Sequence, residues 1–168
     1  MHKVIIFLFI LFNITAAFAE DGETKNLKIF IGKWKDNCTI EASSNKKKCI
    51  LERAMFIDEK LEKKMMTMLM QTNSSSEDIL FTLVSPLGTL IQSGVKIGLN
   101  NELLDDKAYG FNYCIQNGCI TNFLIKKKTL DMFKKSETLD VEYTLRNNQK
   151  MNISLSLEGF NDAFIKIK

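Results

Sequence analysis

The side chains in this chain whose chemistry depends most on spacing are its four cysteines and one run of methionines. An even cysteine count in an oxidising compartment reads as two disulfides. Three pairings of Cys38, Cys49, Cys114 and Cys119 can be drawn. Cys38–Cys49 with Cys114–Cys119 is the expected one. Each pair brackets a turn-rich stretch, Ser43-Ser44-Asn45-Lys46 or Ile115-Gln116-Asn117-Gly118. Cysteines facing each other across a hairpin stand at the separation a bridge needs. A zinc site would want closer Cys or Cys/His pairs, and a redox site C-x-x-C, where this chain has C-x4-C. Met66, Met68 and Met70, with Met65 beside them, alternate along one strand face. Thioether sulfur is a soft ligand, so an exported cluster of this kind could hold Cu(I). The alternative is a strand whose methionines fill irregular core gaps, with Leu61 and Leu69 as neighbouring core positions.

Other chemistries are poorly supplied. The single histidine, His2, falls in a leading segment expected to be cleaved off, so a Ser/His or Cys/His nucleophile lacks its base. Asp105-Asp106 is an adjacent acidic pair among turn-like residues, but sequence neighbours often point apart, and a polar loop explains them equally. Lys46-Lys47-Lys48 stands at a predicted hairpin tip and either meets an anionic surface or is simply solvated. Trp34 is the sole tryptophan and is expected to pack over the disulfide near Cys38, the alternative being an exposed recognition aromatic. No catalytic set and no cofactor are expected.

The compartment comes from the first twenty residues. Met1-His2-Lys3 is a short basic start, Val4 to Phe12 is almost wholly apolar, and Ala17-Phe18-Ala19 offers small residues for cleavage. This reads as a secretory signal peptide over residues 1–19, leaving one domain over 20–168. The apolar run falls short of the ~20 residues of a membrane span, and no longer one follows. The net charge of +3 is too balanced for a nucleic-acid binder.

Strands dominate what remains. Val141, Tyr143 and Leu145 alternate with polar residues, as do Met151, Ile153, Leu155 and Leu157 beyond Asn147-Asn148: a hairpin with one wet face. Val95-Ile97-Leu99 and Tyr109-Phe111-Tyr113 alternate likewise, and a strand carrying Phe123 and Ile125 starts near Cys119. Ile79 to Val84 reads as buried on both faces and stops at the Pro86-Leu87-Gly88 turn. Lys126 to Lys135, with Leu130 and Phe133 three apart, has the spacing of one short amphipathic helix, expected to dock on the sheets, the alternative being a membrane-surface element. Ala163, Ile165 and Ile167 read as a short tail. Many short strands with turns between them suggest an all-β sandwich.

Motif order adds a family. Ser85-Pro86-Leu87-Gly88, Ser93-Gly94-Val95, Cys114-Ile115-Gln116-Asn117-Gly118-Cys119 and Ser156-Leu157-Glu158-Gly159-Phe160-Asn161-Asp162-Ala163 follow one another, with Trp34…Cys38…Cys49 upstream. The arrangement resembles the invasion-associated locus B family of exported bacterial proteins, over about Phe30 to Ile167. The family's L-P-x-G segment is replaced here by Ile91-Gln92-Ser93-Gly94. The resemblance implies an immunoglobulin-like β-sandwich and a periplasmic, outer-membrane or secreted location. It also implies a link to host-cell invasion or virulence, and it brings no catalytic or ligand residues. The expectation is a non-enzymatic binding or interaction module with a protein or cell-envelope partner, the alternative being copper handling through Met66, Met68 and Met70.

Overall fold

Period-two alternation builds two antiparallel sheets. The computed structural model describes residues 28–41, 45–73 and 76–168. The expected signal peptide, and Ser43-Ser44 of the first cysteine loop, lie outside the described residues. In chain order the strands are β1 (Phe30–Ile31), β2 (Lys35–Glu41), β3 (Lys46–Phe56), β4 (Lys64–Asn73), β5 (Ser76–Ser85), β6 (Val95–Leu99), β7 (Glu102–Leu103), β8 (Tyr113–Ile115), β9 (Gly118–Ile125), β10 (Thr138–Thr144) and β11 (Lys150–Ser156). Two helices, α1 (Lys127–Lys135) and α2 (Phe160–Ile167), complete the set.

The larger sheet runs β1-β3-β4-β5-β9-β8, with β2 also paired to β3; the smaller runs β11-β10-β6-β7. Leu51, Met55, Met66, Met68, Met70, Phe81 and Leu83 face inward from the larger sheet and are fully buried or nearly so. Val95, Ile97, Leu139, Val141, Ile153 and Leu155 meet them from the smaller sheet in one continuous core. The helices share that core through Leu130 and Phe133 of α1 and Phe160, Ala163, Phe164 and Ile167 of α2. This is the expected all-β sandwich.

Two expectations need correction. The tail is a helix, so the described residues hold two α-helices where one was expected. Phe160, Ala163, Phe164 and Ile167 recur at i, i+3, i+4 and i+7, which is a helical stripe; the alternation of Ala163, Ile165 and Ile167 was accidental, and Ile165 is 72% exposed. Gly159, at φ 74°, starts this helix in a left-handed conformation that suits glycine. Tyr109 to Tyr113 is not one strand. Tyr109 exchanges both backbone hydrogen bonds with Val95 of the smaller sheet, whereas Tyr113 pairs with Ile120 of the larger. The chain crosses between sheets here, and Asn112 holds the crossing by donating its N–H to the Ile120 carbonyl and accepting the Asn122 N–H on its Oδ1.

Candidate interaction surface

The cysteines pair as the hairpin argument requires. Cys38 faces Cys49 between β2 and β3, and Cys114 faces Cys119 between β8 and β9, with Cα separations of 4.1 and 3.9 Å. Ile115 pairs with Gly118, so the turn proper is Gln116-Asn117, one residue earlier than an Asn-Gly turn. Gly118 is required there: at φ 143°, a Cβ would stand 2.3 Å from the Ser85 carbonyl oxygen.

The methionines lie inside. Met66 is 1% exposed, and Met68 and Met70 are wholly covered, among Leu51, Phe81 and Leu83. A copper ion would have to enter a closed core to reach them, so their placement matches gap-filling. Met65 sits in a bulge where the β3–β4 register shifts, half-buried. Leu61 is not a core residue. It occupies the β3–β4 turn at φ 57°, 43% exposed, and Leu69 faces outward, half-buried.

Asp105 and Asp106 are exposed, and the Asp105 carboxylate accepts the Lys107 N–H in a local turn. Burial, and secondarily the Asp105 charge, raise the Tyr109 phenol pKa above its ordinary value. An open groove of about 540 Å³ lies between the end of α1 and the start of α2, with Glu137, Glu158 and Asp162 on its walls. These three carboxylates are exposed, and among the described residues no three His, Cys, Asp or Glu side chains converge as a metal site would need.

Trp34 does not lie over a disulfide in the contacts described. Its ring packs against Phe160 at 5.4 Å between centroids, and its Nε1–H donates to the Glu158 carbonyl at 2.8 Å. Arg53, 8% exposed, stands 4.7 Å above the same ring. Its Nε–H donates to the Gly32 carbonyl at 3.2 Å and its Nη1–H to the Glu158 carbonyl at 2.9 Å. Burial lowers the Arg53 pKa, and the Glu158 charge opposes that shift. Arg53 was not singled out in the sequence because it alternates in phase with Leu51 and Met55 on a core face, where arginine is rare. This node ties the N-terminal segment to the β11–α2 turn and is structural.

The outward face of the larger sheet is a better candidate for recognition. Pairing puts Leu80 beside Leu124, Val84 beside Ile120, and Ile120 beside Tyr113. Leu69, on the next strand, pairs with Thr82. Leu80, Val84, Leu69 and Ile50 are half-buried, while Leu124 is 60% and Tyr113 55% exposed. Gln71, Thr82 and Asn122 share this face, so it is mixed, but a one-sided antiparallel sheet normally turns mainly polar residues to water, and its aliphatic members make it a candidate contact surface. The stripe ends at β8, the last strand in the sheet order and three residues long, where Tyr113 and Ile115 are exposed.

No curated protein matches the chain. Among solved structures, the crystal structure of invasion associated protein b from Bartonella henselae superposes with a TM-score of 0.69 at 20% identity, covering 82% of this chain and 92% of that one. At that identity the match speaks for the fold. The family model described as invasion associated locus B (IalB) protein matches residues 34–168. That span takes in both disulfides, both sheets and both helices apart from β1, and on this ground the chain belongs to the invasion associated locus B family.

Proposed function

We propose that the chain is an exported, non-enzymatic interaction module of the bacterial envelope, released by cleavage after Ala19 into the periplasm, onto the outer membrane or into the medium. The aliphatic side chains grouped on the outer face, Leu69, Leu80, Val84 and the exposed Leu124, carry the reading, because their grouping on one sheet face favours a partner. Two disulfides and the basic-apolar start support export. The partner is a protein that lies across the sheet or adds to its β8 edge. The family's name ties it to invasion, and a contribution to host-cell invasion or virulence is part of the proposal on that ground alone.

Two measurements test it. Mass spectrometry of the recovered product should give an N-terminus at Glu20; an uncleaved chain with free thiols removes the export reading. A photo-crosslinking residue at Leu124, in cells expressing the protein, should give discrete adducts with envelope protein, whereas one at Asn147 in the β10–β11 turn should not. Equal adducts at both positions, or none at Leu124, would sink the interaction reading.

A further inference from the structure

The register brings lysines from three distant segments to one end of the larger sheet. Lys48 pairs with Asn73, Cys49 with Thr72, Asn73 with Ser76 and Ile79 with Ile125. The β2–β3 tip, the β4–β5 tip and the β9–α1 junction therefore share one end. Helix α2 finishes there too, since the Thr72 hydroxyl donates to the Ile167 carbonyl. Lys47, Lys48, Lys126, Lys127, Lys128 and Lys166 are all exposed at this end. None of them is in an ion pair among the described residues; the three pairs described are Lys28–Glu59, Lys64–Glu52 and Lys96–Glu142. From β3 to β9 is three strand spacings, roughly 14 Å, so the lysines form one field. Glu41, Glu77 and Asp78 fall in the same tips and leave it positive. Two large aliphatic side chains stand out beside the lysines, Ile40 at 68% and Ile165 at 72% exposure.

We propose that this end docks on an anionic phospholipid surface, with lysines at the headgroups and Ile40 and Ile165 entering the interface. Lysines flanking bare aliphatic side chains is the pattern of interfacial binding. The lysines alone would suit a sugar polyanion as well; the bare Ile40 and Ile165 side chains beside them favour a lipid interface. The proposal stands apart from the outer-stripe reading and uses different residues.

The test is co-sedimentation of the mature chain with vesicles of phosphatidylglycerol and phosphatidylcholine in equal parts, against phosphatidylcholine alone. Binding should require the anionic lipid and fade as salt shortens the screening length from roughly 30 Å at 0.01 M to roughly 3 Å at 1 M. Each surface lysine contributes about fivefold to partition, so the Lys47→Gln, Lys127→Gln, Lys166→Gln triple variant should lose on the order of a hundredfold. Ile40→Ser should lose about tenfold without changing the salt slope. A control triple at Lys33, Lys60 and Lys63, away from this end, should bind as the parent does. The proposal falls if neutral vesicles bind equally or no vesicle binds. It also falls if the control triple loses as much as the test triple, or if soluble heparin is bound while vesicles are not.

Discussion

Replacing Arg53 by methionine probes the Trp34 node most directly. The methionine keeps most of the apolar stem in place and deletes the guanidinium. Two hydrogen bonds from a charged donor to the Gly32 and Glu158 carbonyls are lost, each worth roughly 1.5–3 kcal/mol. The stacking on Trp34 adds about 0.5–2 kcal/mol. Against these stands the relief of a desolvated charge, several kcal/mol, which is the larger influence on the Arg53 pKa. The Glu158 carbonyl keeps the Trp34 Nε1–H, whereas the Gly32 carbonyl, on a buried glycine, loses its side-chain donor. The balance is a net loss of about 2–3 kcal/mol. Urea unfolding followed by the emission of the sole tryptophan reads this node itself. Trp34→Phe keeps the ring on Phe160 and loses the Nε1–H bond, costing about 1 kcal/mol. A double-mutant cycle followed by circular dichroism should then show about 1 kcal/mol of coupling between the two positions. A loss below about 0.5 kcal/mol for Arg53→Met, with unchanged emission and no coupling, would refute the claim that the guanidinium holds the N-terminal segment onto the β11–α2 turn.

Removing either disulfide as an Ala/Ala pair should lower stability by the closure entropy of its loop: roughly 2.8 kcal/mol for Cys38–Cys49 and roughly 2.2 for Cys114–Cys119. The first should cost more than this difference suggests, because Cys49 is also a core residue; equal midpoints in urea would contradict it. Burial pushes the Tyr143 pKa up to about 12 from an ordinary 10. The folded phenol stays neutral while the unfolded one ionises, so its contribution is complete below pH 10 and is lost between pH 10 and 12. The wild type should lose on the order of 2 kcal/mol more than Tyr143→Phe across that window, and parallel stability–pH curves would contradict the assignment. Gly118→Ala forces a Cβ against the Ser85 carbonyl and the Val84 side chain at a left-handed φ. A loss of roughly 3 kcal/mol and a melting point lower by about 10 °C are expected, and a shift within error would mean that the turn relaxes.

Most of the architecture was readable where one face is wet. The β10–β11 hairpin, β6 and the Leu130–Phe133 helix follow from periodicity, because their polar faces contrast with the core. The cysteine pairing was readable because a bridge across a hairpin has one geometry. The α2 helix was not, since eight residues rich in apolar side chains satisfy two periods at once, and only Gly159 and the packing of Phe160 on Trp34 decide between them. The break after Tyr109 was hidden because its alternation is real, but its halves serve different sheets. The outer stripe was equally hidden: apolar residues on both faces of β5 read as two-sided burial, and sequence does not say which face lacks a cover. Trp34 and Arg53 meet residues more than a hundred positions away in the chain, beyond the reach of local pattern.

The closing helix also governs when the chain can fold. Phe160, Phe164 and Ile167 together bury enough surface for roughly 5–9 kcal/mol, comparable to the whole stability of an ordinary domain. Strands translated ahead of α2 therefore wait, incomplete, until it follows. A chain cut before Gly159, or one in which this helix frays, would be trapped in an unfinished state with its core open to water.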